Sequence, residues 1–179
     1  SFGGLNANDG YNIRVCRSEN PDGPYVDALG QDMIKCKGRN GSFFNDPDYE
    51  PYGVKLMGGY EFMPADGDKN RFTLAYRSPG HNSAYYDEET GRYFIVFHTR
   101  FANSGESFQV RVHQMYMNAD GWPVVSPLRY AGEMPQPVDA SLMGGAYKLL
   151  LHHKDINKVE HESVVVTLNA DGTVNGAMN

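Results

Sequence analysis

The sequence has little cysteine, no long apolar run and no excess of basic residues. Its two cysteines, Cys16 and Cys36, are too few for a disulfide scaffold and lack metal-ligand spacing, so they form either one bridge or two buried thiols, and we favour thiols. No stretch of about 18 apolar residues occurs, so no membrane-spanning helix is expected. With 16 Lys and Arg against 22 Asp and Glu, the net charge of −6 argues against a nucleic-acid partner, because phosphate binding needs a basic surface.

Enough apolar and aromatic residues are present for a folded core. Hydrophobic residues make up 40 % of the 179 positions and aromatic residues 12 %, which predicts a soluble chain of one domain, or of one domain plus a small appendage. Residues 1–4 lack the charged-then-apolar layout of a signal peptide, although a mature secreted form whose leader has been removed fits them equally well.

The most strongly patterned stretch, residues 78–101, predicts a β-hairpin. A Pro-Gly dipeptide predicts a rigid turn that presents His81 at the start of the first strand. A tight turn at residues 89–91 then leads into a second strand of aromatic and β-branched residues at 92–101.

Alternation of apolar and polar residues predicts further strands on both sides of this hairpin. Turns of the type Asn-Pro-Asp-Gly and Asn-Ala-Asp-Gly join several of them into hairpins, the first between residues 11–17 and 24–27. Residues 28–77 are rich in Gly, Pro, Asp and Asn and predict long loops. The predicted strands outside the central hairpin are residues 11–17, 24–27, 55–62, 71–76, 108–117, 122–128, 147–152, 163–168 and 173–177.

These elements predict an all-β fold with two units. Four strands joined by tight turns form an antiparallel meander of the size of one β-propeller blade, with a piece of a β-sandwich as the alternative. Pro135 and Pro137 mark a boundary, and the strands after it predict a small, partial β-barrel or sandwich. We therefore expect one unit at residues 1–133 and the start of a second at 134–179.

Four segments carry a family resemblance when they are taken together. They are Tyr-Asn-Ile-Arg-Val-Cys-Arg-Ser-Glu-Asn-Pro-Asp-Gly-Pro-Tyr at 11–25, Ser-Pro-Gly-His-Asn-Ser at 78–83, Phe-His-Thr-Arg-Phe at 97–101 and Val-His-Gln-Met-Tyr-Met-Asn-Ala-Asp-Gly-Trp-Pro-Val-Val at 112–125. In this order they resemble the second half of a glycoside hydrolase family 43 enzyme, and within the family they are most similar to the endo-1,5-α-L-arabinanases. The run at 166–177 also resembles the β module that follows the propeller in the longer arabinanases.

The resemblance implies a five-bladed β-propeller, of which this chain supplies about two blades, the first of them incomplete. In the family one aspartate is the general base, a second orients and tunes it, and a glutamate is the general acid. On this alignment none of the three is present, and the sequence is expected to start inside a blade and to stop inside the terminal β module. The 179 residues alone are therefore expected to be inactive, with no catalytic residue of their own.

The acidic residues of the chain support that expectation independently. An inverting glycosidase needs two carboxylates about 6.5 to 9.5 Å apart that converge from different strands. Most acidic residues here neighbour Gly or Asn in predicted turns, where a short carboxylate bonds its own backbone. The residues of this type are Asp9, Asp22, Asp66, Asp68, Glu88, Glu89, Asp120 and Asp171.

His81 is the expected metal-site residue. The resemblance implies that it points up the propeller axis and approaches a calcium ion, through or alongside ordered waters, beneath the substrate pocket. Calcium prefers oxygen ligands, so water must supply most of its shell. Without the resemblance, His81 would be interpreted as a histidine that is hydrogen-bonded inside a turn.

Four further residues are the expected substrate-binding residues: Phe2, Gly3, Asn82 and Arg100. The resemblance puts Phe2 close to the missing acid. Arg100 ends the predicted second strand, from which it can reach sugar hydroxyls, and simple solvation is the alternative. The other aromatic residues have strand spacing and are expected to pack in sheets.

The remaining histidines are weaker candidates. His98 and His113 lie on neighbouring predicted strands and are able to face each other, but a zinc site would need further ligands, so packing and hydrogen bonding are the favoured interpretation. His152 and His153 are adjacent on a predicted strand and should point to opposite faces, which prevents them from sharing a metal.

Two classes of function follow from the sequence. The first is part of a secreted or periplasmic inverting arabinan hydrolase, with arabinan or an arabino-oligosaccharide as substrate and the remainder of the propeller, in the same or a second chain, as partner. The second is a non-catalytic carbohydrate-binding or structural β protein derived from the same fold. Open sheet edges predict that the isolated 179 residues aggregate or fold poorly.

Overall fold

The computed structural model describes residues 1–37, 46–69, 75–102, 104–105, 107–157 and 160–176, and these residues form β-strands and short 3₁₀ turns. Within these ranges no α-helix occurs, and the all-β prediction is confirmed. The 3₁₀ turns are Met33–Lys35, Pro47–Tyr49 and Ala140–Leu142. The strands are β1 (Ile13–Val15), β2 (Val54–Met57), β3 (Tyr60–Glu61), β4 (Tyr76–Asp87), β5 (Arg92–Phe101), β6 (Gln109–Met117), β7 (Pro123–Val125), β8 (Gly145–Leu149), β9 (His161–Glu162), β10 (Val164–Leu168) and β11 (Val174–Asn175).

The largest sheet contains the predicted meander. Its strand order is β7-β6-β5-β4-β3-β9, and β4 to β7 follow one another as antiparallel neighbours. The turn between β6 and β7 forms because the Asn118 side-chain oxygen accepts hydrogen bonds from the backbone N–H groups of Asp120 and Trp122, while Gly121 takes a positive φ of 72°. This sheet positions the candidate site at the end of the β4–β5 hairpin.

The core of the molecule lies on the face of this sheet that carries Ile95 and Phe97, which are 2 % and 1 % exposed. The two residues alternate with outward-facing ones along β5, as a half-buried strand requires. Tyr60 and Tyr76 stack with ring centroids 4.7 Å apart and add an aromatic layer. The buried apolar cluster comprises Ile13, Met57, Tyr60, Tyr76, Ile95, Phe97, Phe101 and Met115.

A segment near the C-terminus enters this core and was not predicted. Strand β9 pairs in parallel with β3, and the Ile156 side chain before it is 1 % exposed. Gly10 has to be glycine here, because a Cβ at that position would lie 1.2 Å from the carbonyl oxygen of Ile156. The Lys55 ammonium donates to the Asp155 carbonyl oxygen at 2.6 Å, and burial lowers the pKa of Lys55 to about 8.

The second sheet is small and has the order β11-β10-β8. Val166 lies opposite Tyr147, and Leu168 lies opposite Val174, so that the two cross-strand pairs share a face. The division of the chain into units at residues 1–133 and 134–179 stays a prediction.

The predicted N-terminal hairpin is confirmed at its turn, where the Gly23 N–H donates to the Asn20 carbonyl oxygen at 3.1 Å, but its predicted ladder is wrong. Residues 11–17 and 24–27 share only the bridge between Arg17 and Val26, and β1 pairs with β2 instead. The chain cannot continue as a strand after Val26, because the buried carboxylate of Asp27 accepts hydrogen bonds from the backbone N–H groups of Leu29 and Gln31 and closes a turn.

Three further outcomes concern the predictions made for this part of the chain. Order at residues 55–62 is confirmed by β2 and β3, whereas residues 71–74 of the predicted strand 71–76 lie outside the described residues.

Cys16 and Cys36 are unbridged and half-buried, as the thiol interpretation requires. Among the described residues, no helix is long and apolar enough to cross a membrane.

Candidate functional site

The strand that carries His81 is irregular at the site. The pairing of β4 with β5 shifts twice, between Arg77 and Gly80 and again between Gly80 and Ser83. Ser78 and His81 both adopt positive φ values, 48° and 49°. The predicted Pro-Gly turn before the strand is therefore wrong: β4 continues through this dipeptide, and its ladder breaks there because proline has no N–H to donate.

Tyr11 fixes the backbone at this irregularity. A Cβ at position 80 would lie 1.9 Å from Cε1 of the Tyr11 ring, so only glycine fits. The backbone N–H of His81 donates to the Ser1 hydroxyl at 3.1 Å and to the Tyr11 hydroxyl at 3.3 Å. The Ser1 hydroxyl in turn donates to the Asn82 side-chain oxygen at 3.1 Å. These contacts hold the main chain in its strained conformation and leave the His81 residue exposed.

A row of four planar side chains links the two predicted residues His81 and Arg100. The His81 and His98 ring centroids are 5.6 Å apart, and those of His98 and Phe108 are 4.2 Å apart. The Arg100 guanidinium lies 4.1 Å from the Phe108 ring centroid. Its Nη2 also donates to the Leu5 carbonyl oxygen at 2.7 Å, which ties the row to the N-terminal segment.

His98 is half-buried within this row, and one of its ring nitrogens is shielded from solvent. Among the described residues no group bonds its Nε2, although that atom is shielded from solvent. Leaving a buried polar atom unpaired costs about 1–3 kcal/mol, so packing alone would favour a phenylalanine at this position. Burial lowers the pKa of His98, and the nearby His81 and Arg100 lower it further, so its imidazole is neutral at neutral pH.

The other two predicted substrate-binding residues lie on the N-terminal segment. Phe2 exchanges backbone hydrogen bonds of 2.8 and 2.9 Å with Asn12, and its ring packs edge-on against Tyr49 with centroids 6.1 Å apart. Gly3 has a φ of 87°, and a Cβ there would lie 2.8 Å from the Gly10 carbonyl oxygen. The structure thus joins His81 to Asn82 through Ser1 and to Arg100 through His98 and Phe108, whereas Phe2 and Gly3 make separate contacts.

Comparison with known proteins identifies the family and the fold. Residues 127–179 match a protein family described as GH43_C, C-terminal lipocalin-like domain. The chain is 52 % identical over 178 residues to "Extracellular endo-alpha-(1->5)-L-arabinanase 2" of Bacillus subtilis, and the match covers 99 % of this chain and 37 % of that protein. The chain belongs to glycoside hydrolase family 43.

Two solved family 43 structures have the same fold. The family 43 YxiA protein of Bacillus licheniformis superposes with a TM-score of 0.89 at 52 % identity, covering 99 % of this chain and 38 % of that one. The endo-1,5-α-L-arabinanase of Thermotoga petrophila superposes with a TM-score of 0.85 at 44 % identity, again over 99 % of this chain and 38 % of that one. The assignment of the strands to part of a family 43 β-propeller is therefore confirmed, and the chain spans little more than a third of the length of these relatives.

The acidic side chains expected in turns behave as turn residues where their contacts are described. Asp9 accepts hydrogen bonds from the backbone and the side chain of Asn6, and Asp171 accepts from the backbone and the hydroxyl of Thr173. The carboxylate of Asp68 accepts from the Ala65 N–H at 2.8 Å and from the Lys148 ammonium at 2.5 Å. These bonds engage Asp9 and Asp171 in their own turns, and Asp68 both in its turn and in an ion pair with the distant Lys148.

Asp27 is a buried carboxylate that the sequence pattern did not reveal. It is 2 % exposed, and burial alone would raise its pKa. Hydrogen bonds from the backbone N–H groups of Gln31, Leu29 and Gly53, together with the charge of Lys154, outweigh burial and hold the pKa of Asp27 below its ordinary value. Because it accepts hydrogen bonds from several backbone N–H groups, Asp27 fixes the conformation of the turn at residues 27–31.

His113 is a structural histidine and lies away from His98. Ile95 is the cross-strand partner of His113 and Val110 is that of His98, so the two histidines project from opposite faces of the sheet, and the expectation that they can face each other is wrong. His113 is fully buried. Its Nδ1–H donates to the Ser126 carbonyl oxygen at 2.7 Å, and Nε2 accepts from the Tyr76 hydroxyl at 3.2 Å, which confirms the packing and hydrogen-bonding role.

The prediction that His152 and His153 share a strand is also wrong, because β8 ends at Leu149. His153 contacts His161 with ring centroids 4.8 Å apart, and His161 bonds the Asp155 carboxylate at 2.8 Å. Over the described ranges of the chain, no group of three or more His, Cys, Asp or Glu residues is arranged to hold a metal ion.

Proposed function

We propose that this chain is part of an inverting endo-1,5-α-L-arabinanase that cleaves arabinan of plant cell walls. The observation that carries the proposal is its 52 % identity, over 99 % of its length, to a protein named an extracellular endo-α-(1→5)-L-arabinanase. Because the chain spans 37 % of that relative, we assign the catalytic Asp, Asp and Glu to other parts of the same propeller, present in the same polypeptide or in a second chain.

In this proposal the row from His81 to Arg100 forms part of the pocket wall. Arg100 can donate to sugar hydroxyls, the exposed Asn82 amide offers a polar contact and the Phe2 ring offers an apolar one. The carboxylates elsewhere would protonate the leaving oxygen and activate a water on the opposite face of the arabinofuranose ring. The chain's own residues orient the substrate for those steps.

We further propose that His81 takes part in holding a calcium ion at this wall. The donor set fits an ion whose shell is mostly water: His81 is exposed, and the hydroxyl groups of Ser1 and Tyr11 accept from its backbone N–H. The described residues provide no cluster of carboxylates that could enclose the ion. When bound, the ion would fix water and sugar oxygens beneath the reacting ring.

The location that fits this function is secreted or periplasmic, because arabinan is a cell-wall polymer outside the cell. The name of the Bacillus subtilis relative, which includes the word extracellular, supports this location. Neither free cysteine opposes it, since export does not require a disulfide.

The test is hydrolysis of linear arabinan by the complete polypeptide and by the 179 residues alone. We expect the complete protein to release arabino-oligosaccharides from the chain interior, with inversion at the anomeric carbon measured by proton NMR, and the 179 residues to release none. If the complete protein binds arabinan without cleaving it, the non-catalytic alternative is correct. Cleavage with retention, or of xylan in preference to arabinan, would also contradict the proposal.

A further inference from the structure

His98 is the one histidine of the row whose chemistry the proposed function does not use. It pairs across the strands with Gly80, the residue before His81, so the two imidazoles sit side by side at the double register shift. Its ring is enclosed by His81, Phe108 and Tyr11, with centroid distances of 5.6, 4.2 and 6.1 Å. Within the described ranges, Nε2 of His98 is shielded from solvent and has no hydrogen-bond partner. Shielded polar atoms in proteins usually have one, so we expect a group that bonds it.

The distance between the rings fits one particular partner. Two imidazoles joined by an N–H···N hydrogen bond of about 3 Å have ring centres roughly 5 to 5.5 Å apart. The observed 5.6 Å between His81 and His98 is close to that separation, and the planes are tilted by only 34°. The His81 residue is exposed, whereas the His98 residue is half-buried.

Ligand chemistry supplies the reason for such a bond. A histidine that binds a metal ion with one ring nitrogen usually donates the N–H of its other nitrogen to an acceptor, which fixes its tautomer and its orientation. Nε2 of His98 is shielded from solvent, the ring of His98 contacts that of His81, and for the described residues no group bonds this nitrogen. We propose that His98 is the positioning residue of this site: its Nε2 accepts the ring N–H of His81 when His81 holds the cation. The inference rests on the proposed cation-binding role of His81.

The test is calcium titration of the complete polypeptide by calorimetry, using variants that separate stacking from hydrogen bonding. His98→Phe keeps the stack and removes the acceptor, and we expect it to weaken calcium binding by about 10- to 100-fold. His98→Gln keeps an acceptor oxygen near the Nε2 position, and we expect it to lose less than about 3-fold. Both should keep the melting temperature of the wild type, and equal losses in the two variants would overturn the inference.

A second readout tests the bond itself. In the protein labelled with ¹⁵N-histidine and loaded with calcium, we expect a single His81 tautomer and a scalar coupling between nitrogens of His81 and His98, both of which are lost in His98→Phe. Absence of that coupling in the loaded protein would overturn the inference. His81→Ala separates the two proposals: unchanged calcium affinity in this variant refutes the cation role of His81, whereas weakened affinity in His81→Ala without weakening in His98→Phe refutes only the role of His98.

Discussion

Two histidines on neighbouring strands show how differently one sheet uses the same side chain. His113 on β6 faces the core, is fully buried and has both ring nitrogens hydrogen-bonded. His98 on β5 faces the other side, beside an exposed histidine, and its shielded Nε2 has no hydrogen-bond partner in the part of the chain that the structure describes. The first arrangement stabilises the fold, whereas the second costs free energy. Unsatisfied polarity, rather than burial, therefore distinguishes the face of the sheet on which we propose the binding site.

The largest expected effect comes from the same substitution at the two positions. His113→Phe strands the Ser126 carbonyl and the Tyr76 hydroxyl in the core, and we expect it to lower the free energy of unfolding by about 3 kcal/mol. His98→Phe removes an unpaired nitrogen and should change stability by less than about 1 kcal/mol, in the stabilising direction. Urea unfolding of the complete polypeptide measures both. Equal destabilisation by the two variants would remove the distinction.

A third histidine extends the comparison to pH. Burial, and then the charges of Lys55, His161 and His153, lower the pKa of His152 to about 4, and its Nδ1 accepts the Gly58 N–H at 3.4 Å. Between pH 6.5 and 4, His152 is protonated in the unfolded chain but remains neutral in the folded chain. The free energy of unfolding therefore falls as the pH falls, by about 2–3 kcal/mol in total.

The matching variant is His152→Asn, which retains an acceptor near Nδ1 and cannot titrate. We expect its urea midpoint to depend less on pH between 7 and 4 than that of the wild type. His153→Asn removes only the smallest of the charges that lower the pKa of His152, so we expect it to reduce the pH dependence by less than His152→Asn does. If the urea midpoint of His152→Asn depends on pH as steeply as that of the wild type, other groups cause the acid sensitivity.

Gly80→Ala tests the backbone that presents the functional face. The new Cβ would overlap the Tyr11 ring, and we expect a loss of about 2 kcal/mol together with displacement of His81. Combining it with Tyr11→Ala should cost less than the sum of the two single changes, as a direct steric contact requires. Gly144→Ala is the control, since its Cβ would meet no atom closer than 3.7 Å. Strict additivity in the double variant would contradict this reading of the site.

The smallest expected effect concerns the far end of the row. Arg100→Lys keeps the charge but loses the flat group that stacks on Phe108, so we expect a loss of about 0.5–1 kcal/mol and a weaker affinity for arabinan. Arg129→Lys, at an exposed position, should change neither quantity. Affinity gel electrophoresis with arabinan and urea unfolding give the two measurements. Full retention of arabinan affinity in Arg100→Lys would argue that Arg100 is merely solvated.

Local patterns predicted the central hairpin and the meander because these depend on alternation and turn residues close in sequence. The ladder of the N-terminal hairpin stops at one bridge because the carboxylate of Asp27 binds the backbone N–H groups beyond Val26, and no periodicity in the sequence reveals that contact. Strand β9 and the burial of Ile156 depend on contacts about 100 residues apart. At the site, His81 and Arg100 were selected from sequence, but the link through His98 and Phe108 depends on two register shifts that only coordinates reveal.

The most direct test of the account is the kinetics of His81→Ala in the complete polypeptide on linear arabinan. If the irregular end of the β4–β5 hairpin forms the working wall of the pocket, kcat/KM should fall by about 100-fold, because a misplaced substrate reacts slowly, while the melting temperature stays that of the wild type. His153→Ala, a change at an exposed histidine outside the row, should keep both values. Wild-type kcat/KM in His81→Ala would contradict the account.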